Sequence, residues 1–347
     1  MKKGKSSLLL AGLVAFHAAI LLAGFVAPYD VEQQDRDLAY APPTHLHFVD
    51  ATGKFHFIPF VCALEPSNDA PDEYADNCSS AFPVRIFASG TQYKLLGLFV
   101  SRVHLFGVRG PVKVFLMGTD GFGRDVFSRF IYGGQISMLA GLLATLLSLT
   151  LGTMGGLLAG YYGGWVDLVI MSTAELFVAL PWLYLLFAVR ASLPLSLQPS
   201  QAFLLLIAVI GSIGWARPAK LIRAVALSSK EQHCVLAARL FGGSDVYLIR
   251  RHIFPDSYSI IVTQATLLIP QYILAEVVLS FLGLGVAEPT PSWGNMLSVL
   301  HQYSVLVSHW WMLLPGVMLV PLFLGYLLLA GNLGPKRQSG SDETVFV

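Results

Sequence analysis

The chain has 347 residues, of which 55% are hydrophobic and only 12% charged, with a net charge of +1 at pH 7. An ordinary soluble domain carries about 25% charged residues, so this composition, with a mean hydropathy of +0.64, excludes one and points to repeated crossing of a lipid bilayer. With so few charges and no basic surplus, no nucleic-acid partner is expected.

A span needs roughly 20 apolar residues to cross about 30 Å of hydrocarbon. The first predicted span is Leu8 to Val26, preceded by Lys2, Lys3 and Lys5. Its basic start resembles a signal peptide, but Ala27-Pro28-Tyr29 is a poor small-x-small cleavage site. Residues 1–27 therefore read as an uncleaved anchor with the N-terminus in the cytoplasm.

Residues 28–113 then lie outside the membrane as a small β-rich insertion, acidic from Asp30 to Asp76. In that oxidising compartment Cys62 and Cys78 are a candidate disulfide, with two unpaired thiols as the alternative; Cys234, inside, stays reduced. The stretches His45–Val49 and Lys54–Ile58, around Asp50-Ala51-Thr52-Gly53, predict a hairpin with a four-residue turn. That register sets His47 opposite His56 and puts His45, His47 and His56 on one face. Such imidazoles suit zinc or nickel, but no fourth ligand is evident, and the polar face of a half-exposed sheet is preferred. Val84 to Val108 supplies further strands, since three or more are needed for such a unit to stand alone.

The run Leu116 to Asp125 spaces Gly118 and Gly123 as in a nucleotide-binding P-loop. A P-loop needs Lys then Ser or Thr to hold phosphate and magnesium; Arg124-Asp125 puts a carboxylate there instead. The chain is therefore expected to bind no nucleotide, to need no cofactor and not to be an enzyme; it also lacks His-Glu-x-x-His and Gly-x-Ser-x-Gly patterns.

Further spans are predicted at Met138–Tyr161, Leu168–Val189, Ala202–Trp215 (starting nearer Leu195), Ser257–Leu284 and Trp310–Ala330. Six crossings return Lys336 and Arg337 to the cytoplasm. Gly152, Gly155, Gly156 and Gly160 give one span a small-residue face for close packing. Glu175 and Glu276 fall within spans, where an ionised acid costs about 2.5–3.5 kcal/mol. Each either lines a translocation path or gate or bonds a neighbouring helix; for Glu276 packing is preferred. Pro181, Pro270, Pro315 and Pro321 can kink their helices.

Between the fourth and fifth spans lies a basic segment, Trp215–Asp256, with Arg217, Lys220, Arg223, Lys230, Arg239, Arg250 and Arg251. These mark it as cytoplasmic. They could also bind anionic lipid at about 1 kcal/mol each, which leaves the pattern Leu236-Ala237-Ala238-Arg239-Leu240-Phe241-Gly242-Gly243-Ser244-Asp245 unexplained. Ala237 and Ala238 leave a helix face without bulk for another protein to approach; Gly242 or Gly243 can take a left-handed C-cap. Ser244 or Asp245 can cap a second helix, whose length Pro255 limits.

This segment resembles the loop by which permeases of ABC importers couple to their ATPases. Ala237, Ala238, Gly242, Ile253 and Pro255 fit that pattern, while Leu236 stands where the family has glutamate. The core is similar to dipeptide, oligopeptide and nickel permeases at Gly118-Thr119-Asp120, Gly123-Arg124-Asp125, Ser128-Arg129, Tyr132-Gly133 and Ser137, with Gln135 replacing an arginine. The likeness continues at Glu276, Leu279 to Gly285, Pro289, Pro291, Ser292-Trp293-Gly294, Trp311 and Pro315-Gly316, and covers about Val114 to Leu333. It departs at Leu333-Gly334-Pro335-Lys336, where the family often has Leu-Arg-Asp and Asp-Pro.

The resemblance implies an all-α polytopic membrane protein of about six transmembrane helices with a cytoplasmic coupling-helix loop. Its permease core would span 114–335 and a cytoplasmic tail 336–347, in the plasma (inner) membrane. It also implies ABC ATPase subunits inside, a second permease beside it and a solute-binding protein outside, moving peptides or related solutes such as nickel chelates. The alternative is a self-sufficient ion-coupled secondary transporter using Glu175 and Glu276; it predicts inverted repeats, and none is evident.

Overall fold

The computed structural model describes residues 3–50, 53–66, 74–95, 97–192 and 199–333. Its spine is α3 (Val126–Tyr162), whose 37 residues reach about 55 Å at 1.5 Å per residue. Asp125 caps it, its Oδ2 accepting from Ser128 N at 2.8 Å and Ser128 Oγ at 2.6 Å. Among the described residues, three helices are long and apolar enough to cross a membrane: α3, the run 245–281 and the run 310–332. The number rises to five if two bent pairs count as one span each.

One bent pair is α4 (Gly164–Ala179) with α5 (Trp182–Ala191), turned by 89° where Pro181 interrupts the predicted span. The other is α6 (Pro199–Gly214) with α7 (Ala216–Ser229), bent by 41°. Most of the basic segment's first half is thus helix rather than linker. The predicted glycine face of α3 explains why: a Cβ on Gly152 would lie 2.8 Å from Pro218, and one on Gly160 2.6 Å from Ala226. Without those side chains α7 packs directly on α3. The proposed start of the fourth span near Leu195 lies outside the described residues, as do Lys336, Arg337 and the tail.

The N-terminal segment forms α1 (Lys3–Leu21) and a short α2 (Ala23–Val26), Leu10–Leu21 being a shorter apolar helix. It packs on α3 and on α13 (Leu314–Leu333), where His17 Nε2 and Tyr326 Oη are 2.7 Å apart. At the start of α3, Tyr29 N donates to Ser128 Oγ at 3.2 Å and Trp311 Nε1 to Thr119 O at 3.2 Å. Chain segments entering α3 and α13 and leaving α1 therefore meet at one end of the bundle.

At that same end sits a four-stranded antiparallel sheet: β1 (His47–Val49), β2 (Phe55–Pro66), β3 (Tyr74–Leu95) and β4 (Phe99–Val108), in that order. Buried His104 of β4 ties it to the helices, its ring nitrogens lying 2.6 Å from Ala27 O and 2.9 Å from Thr91 O. The predicted hairpin register is corrected. Val49 faces Phe55 but His47 faces Phe60, not His56, because β2 bulges between the two pairs. The bulge lets the His47 ring stack on Phe60 and divides the imidazoles: His45 and His47 reach Asp76, whereas His56 reaches Asp50. His47 lies near the sulfurs of Cys62 and Cys78, but these are bonded to each other as a disulfide between β2 and β3.

Candidate functional site

The opposite end of α3 carries the segment singled out in the sequence. Helix α8 (His233–Leu240) stops as Gly242 takes φ +84°. Gly243 N donates to Ala238 O at 2.9 Å and Gly242 N to Arg239 O at 3.0 Å, the paired bonds of a Schellman C-cap. Ser244, rather than Asp245, caps α9 (Asp245–Leu248), its Oγ accepting from Tyr247 N at 3.3 Å.

Asp245 instead reaches back to α3, where its Oδ1 accepts from Tyr161 Oη at 2.5 Å. Tyr161 also lies under the Arg239 guanidinium, 5.3 Å from ring centroid to Cζ. One residue at the end of α3 thereby holds the end of α8 and the start of α9. Sequence reasoning passed over it as the last residue of a span.

Beneath the turn, Val235, Leu248 and Ile253 are buried with Leu157, Tyr161, Ile222 and Ala226 in a small separate core. Ala238 packs against it, while Ala237 and Leu236 are exposed. The expectation that both alanines open one outer face is thus corrected, because successive helical residues point about 100° apart. Pro255 also does not end the second helix. A π-helical turn, Ile249–Ile253, leads into α10 (Phe254–Phe281), and Pro255 falls in its first turn, where a missing N–H is tolerated.

What remains outside is apolar. Leu240 is 88% exposed and Phe241 93%, and Val246, Tyr247, Arg239, Arg250 and Arg251 of the same segment are exposed as well. Such side chains gathered on one turn mark an interaction surface rather than scattered surface residues.

Glu175 and Glu276 have different settings. Glu175, on α4, is exposed and pairs with Lys220 on α7 at 3.3 Å; Asp167 and Arg223 pair between the same helices. Glu276 is fully buried on α10, its Oε1 accepting from Ser280 Oγ at 2.6 Å; the Ser137 and Ser292 hydroxyls lie near the carboxyl, but Oε2 has no hydrogen-bond partner among the described residues. There α10 meets α3 and α11 (Trp293–Ser298), whose Trp293 is buried with its Nε1 donating to Phe130 O at 2.9 Å. The structure brings neither acid to the α8–α9 turn, nor the two acids to each other.

The model of the family described as "Binding-protein-dependent transport system inner membrane component" matches residues 152–339. The dipeptide transport system permease protein DppC of Alkalihalophilus pseudofirmus is 36% identical over 236 residues, 67% of this chain and 75% of its own length. DppC of Haemophilus influenzae is 35% identical over 224 residues, 65% of this chain and 74% of its own. The glutathione transport system permease protein GsiD of Pectobacterium atrosepticum is 37% identical over 200 residues, 58% of this chain and 64% of its own.

Proposed function

The chain belongs to the family of binding-protein-dependent transport system inner membrane components, and from that premise we propose that it is one permease subunit of an ATP-driven importer of short peptides. The α8–α9 turn is its contact with the ATPase subunits. The carrying observation is the exposed apolar pair Leu240 and Phe241 on a turn that a Schellman cap and Tyr161 fix to α3. A pre-organised tip binds without first paying to order itself.

In this reading α1 supplies a sixth crossing beside α3, the two bent pairs, α10 and α13, with both termini in the cytoplasm. The sheet is extracytoplasmic, which the Cys62–Cys78 disulfide supports because such bonds persist in oxidising compartments. The basic segment at the other end supports a cytoplasmic α8. A second permease completes the path, and a binding protein delivers cargo from outside. Peptide cargo is supported by the dipeptide permeases among the relatives; glutathione, a peptide derivative, falls in the same class. Nickel chelates are the less supported cargo. ATP binding moves the subunit only through contacts that differ between its two states.

For Glu276 the serine-lined burial supports the packing role, and for Glu175 the Lys220 partner makes an unpaired ion site a weaker reading. The test is purification of this chain in mild detergent with its partners identified. Recovery of a P-loop ATPase and a second permease is expected. A homo-oligomer that transports in ATP-free vesicles on an ion gradient would overturn the assignment.

A further inference from the structure

At the other end of α3, three segments line an open cavity of about 430 Å³. Its polar wall is ionic. Arg129, on the first turn of α3, is 2% exposed, and Arg124, on the glycine turn before it, is also buried. Arg124 Nε donates to Asp120 Oδ2 at 2.7 Å. Glu288 then bridges the two arginines, Oε2 accepting from Arg124 Nη1 at 2.9 Å and Oε1 from Arg129 Nη2 at 2.7 Å. No other charged residue lines the cavity among the described residues.

Glu288 differs from its partners. It rides on the segment between α10 and α11, and its side chain is 47% exposed while both guanidiniums are buried. Without Glu288, Arg124 would keep Asp120 but buried Arg129 would have it only at 3.7 Å; a buried guanidinium short of a close partner is strongly destabilising, so Glu288 satisfies it while the cavity is empty. Another carboxylate could replace it at little net cost, because the same two bonds would re-form and the displaced Glu288 side chain already reaches water. Its released charge would then be free to face an ammonium group. The rest of the lining includes Met296 and Met312 with Asn295 and Gln302, a mixture of apolar and neutral polar groups. A volume in the range of small-ligand sites, with cations and anions in pairs, is complementary to a zwitterion.

We infer that this cavity is a binding subsite for short zwitterionic peptides, its buried Arg124 and Arg129 taking the peptide carboxylate in exchange for Glu288. The inference rests on the peptide-importer reading and adds to it a site on the permease itself. The geometry makes Glu288 a built-in competitor: it holds the arginines in place and yields them to a ligand that carries both its charge and an ammonium group.

The test uses the assembled importer in nanodiscs without its binding protein, probed with radiolabelled alanyl-alanine and with the same dipeptide as its C-terminal amide. The free acid is expected to bind and the amide not. Glu288→Gln removes the competing charge at the buried arginines and, with it, only a water-exposed partner of the ammonium group, so acid binding should still tighten about tenfold, the worth of one charge-assisted hydrogen bond. Gln302→Trp, growing from the exposed rim without touching the ion pairs, should abolish it; where Glu288→Gln fails to assemble, this variant decides. Equal binding of acid and amide overturns the subsite, as do variants whose affinity stays within about twofold of wild type. ATP-driven dipeptide uptake with the binding protein present is measured separately. Uptake without cavity binding overturns the subsite alone, whereas binding in a complex that never uses ATP upholds the subsite and overturns the importer reading.

Discussion

Phe241→Ser isolates docking from folding. Phe241 sits at the C-cap of α8 with φ −79° and ψ 12°, and 93% of its surface is exposed. It contributes little to this chain's own core, so substitution should change stability by less than about 0.5 kcal/mol. Fully covering a phenylalanine against a partner is worth about 1.5–3 kcal/mol, so its loss should weaken ATPase docking by roughly ten- to a hundredfold. The assay is titration of purified ATPase subunits onto the permease in nanodiscs, with thermal unfolding followed in parallel. Leu248→Ala is the contrast. Leu248 is fully buried in the core beneath the turn, and its truncation should cost about 2–5 kcal/mol of stability, seen as loss of folded protein. An unchanged docking affinity for Phe241→Ser, with wild-type unfolding, would refute the assignment of this turn.

Gly242→Pro replaces φ +84° with a residue locked near −65°, so cargo-stimulated ATP hydrolysis should be uncoupled while the chain still reaches the membrane; unchanged stimulation would count against docking. Leu236→Glu restores the acid expected from the resemblance at an exposed position and should leave assembly intact or tighten it, whereas complete loss of assembly would show that the apolar side chain is required. Cys62→Ser opens the bond joining β2 to β3 across a sequence separation of 16 residues, and should cost about 3 kcal/mol, read as a lower unfolding temperature of oxidised but not reduced protein. Burial pushes the Asp125 carboxyl up to about 6 from its usual 3.8. The folded state then holds the proton more tightly than the unfolded one, so stability is full below about pH 4 and falls as pH rises to about 6, by roughly 3 kcal/mol. Asp125→Asn keeps a capping oxygen without the charge, and its unfolding temperature should lose that slope; a slope equal to wild type would assign it to another group.

The parts legible in the sequence were those written locally. Gly242, Ser244 and the glycines of α3 declare a cap or a close approach by residue type alone, and the structure places each at such a position. Pairings between distant segments were not legible. The β1–β2 register depended on a bulge that no spacing rule reveals, and one slip moved His56 away from His47. Pro255 read as a stop because proline lacks an N–H, but a π turn just before it takes up the mismatch. At Trp215 the helix bends by 41° rather than giving way to a linker; it goes on as α7 because small residues there fit the α3 glycines and its cations have acids to meet on α4. Glu175 looked costly in isolation for the same reason: its partner Lys220 is 45 residues away.

Dependence on distant partners also hid the importance of α3. It looked like one span among six, yet it reaches both the ionic cavity and the α8–α9 clamp. Its first turn contributes Arg129 to the ionic cavity and its last contributes Tyr161 to the α8–α9 clamp. It runs between them as 37 continuous helical residues with no proline, whereas α10 and α13 carry Pro270 and Pro321 inside. Sharp helix kinks arise chiefly at proline, at Gly/Ser pairs or at π turns; the paired glycines of α3 are covered by close neighbours, Gly134 by Ile20 and Trp293 and Gly156 by α7. A displacement at Tyr161 is therefore carried toward Arg129 more by movement of the whole rod than by local bending. The Glu288 bridge lies where that movement would register, because it joins α3 to the segment that follows α10. Coupling of this kind needs two packed arrangements rather than continuous deformation. The ion pair between buried Arg129 and half-exposed Glu288 is a contact that such a change could break only where another carboxylate takes the glutamate's place.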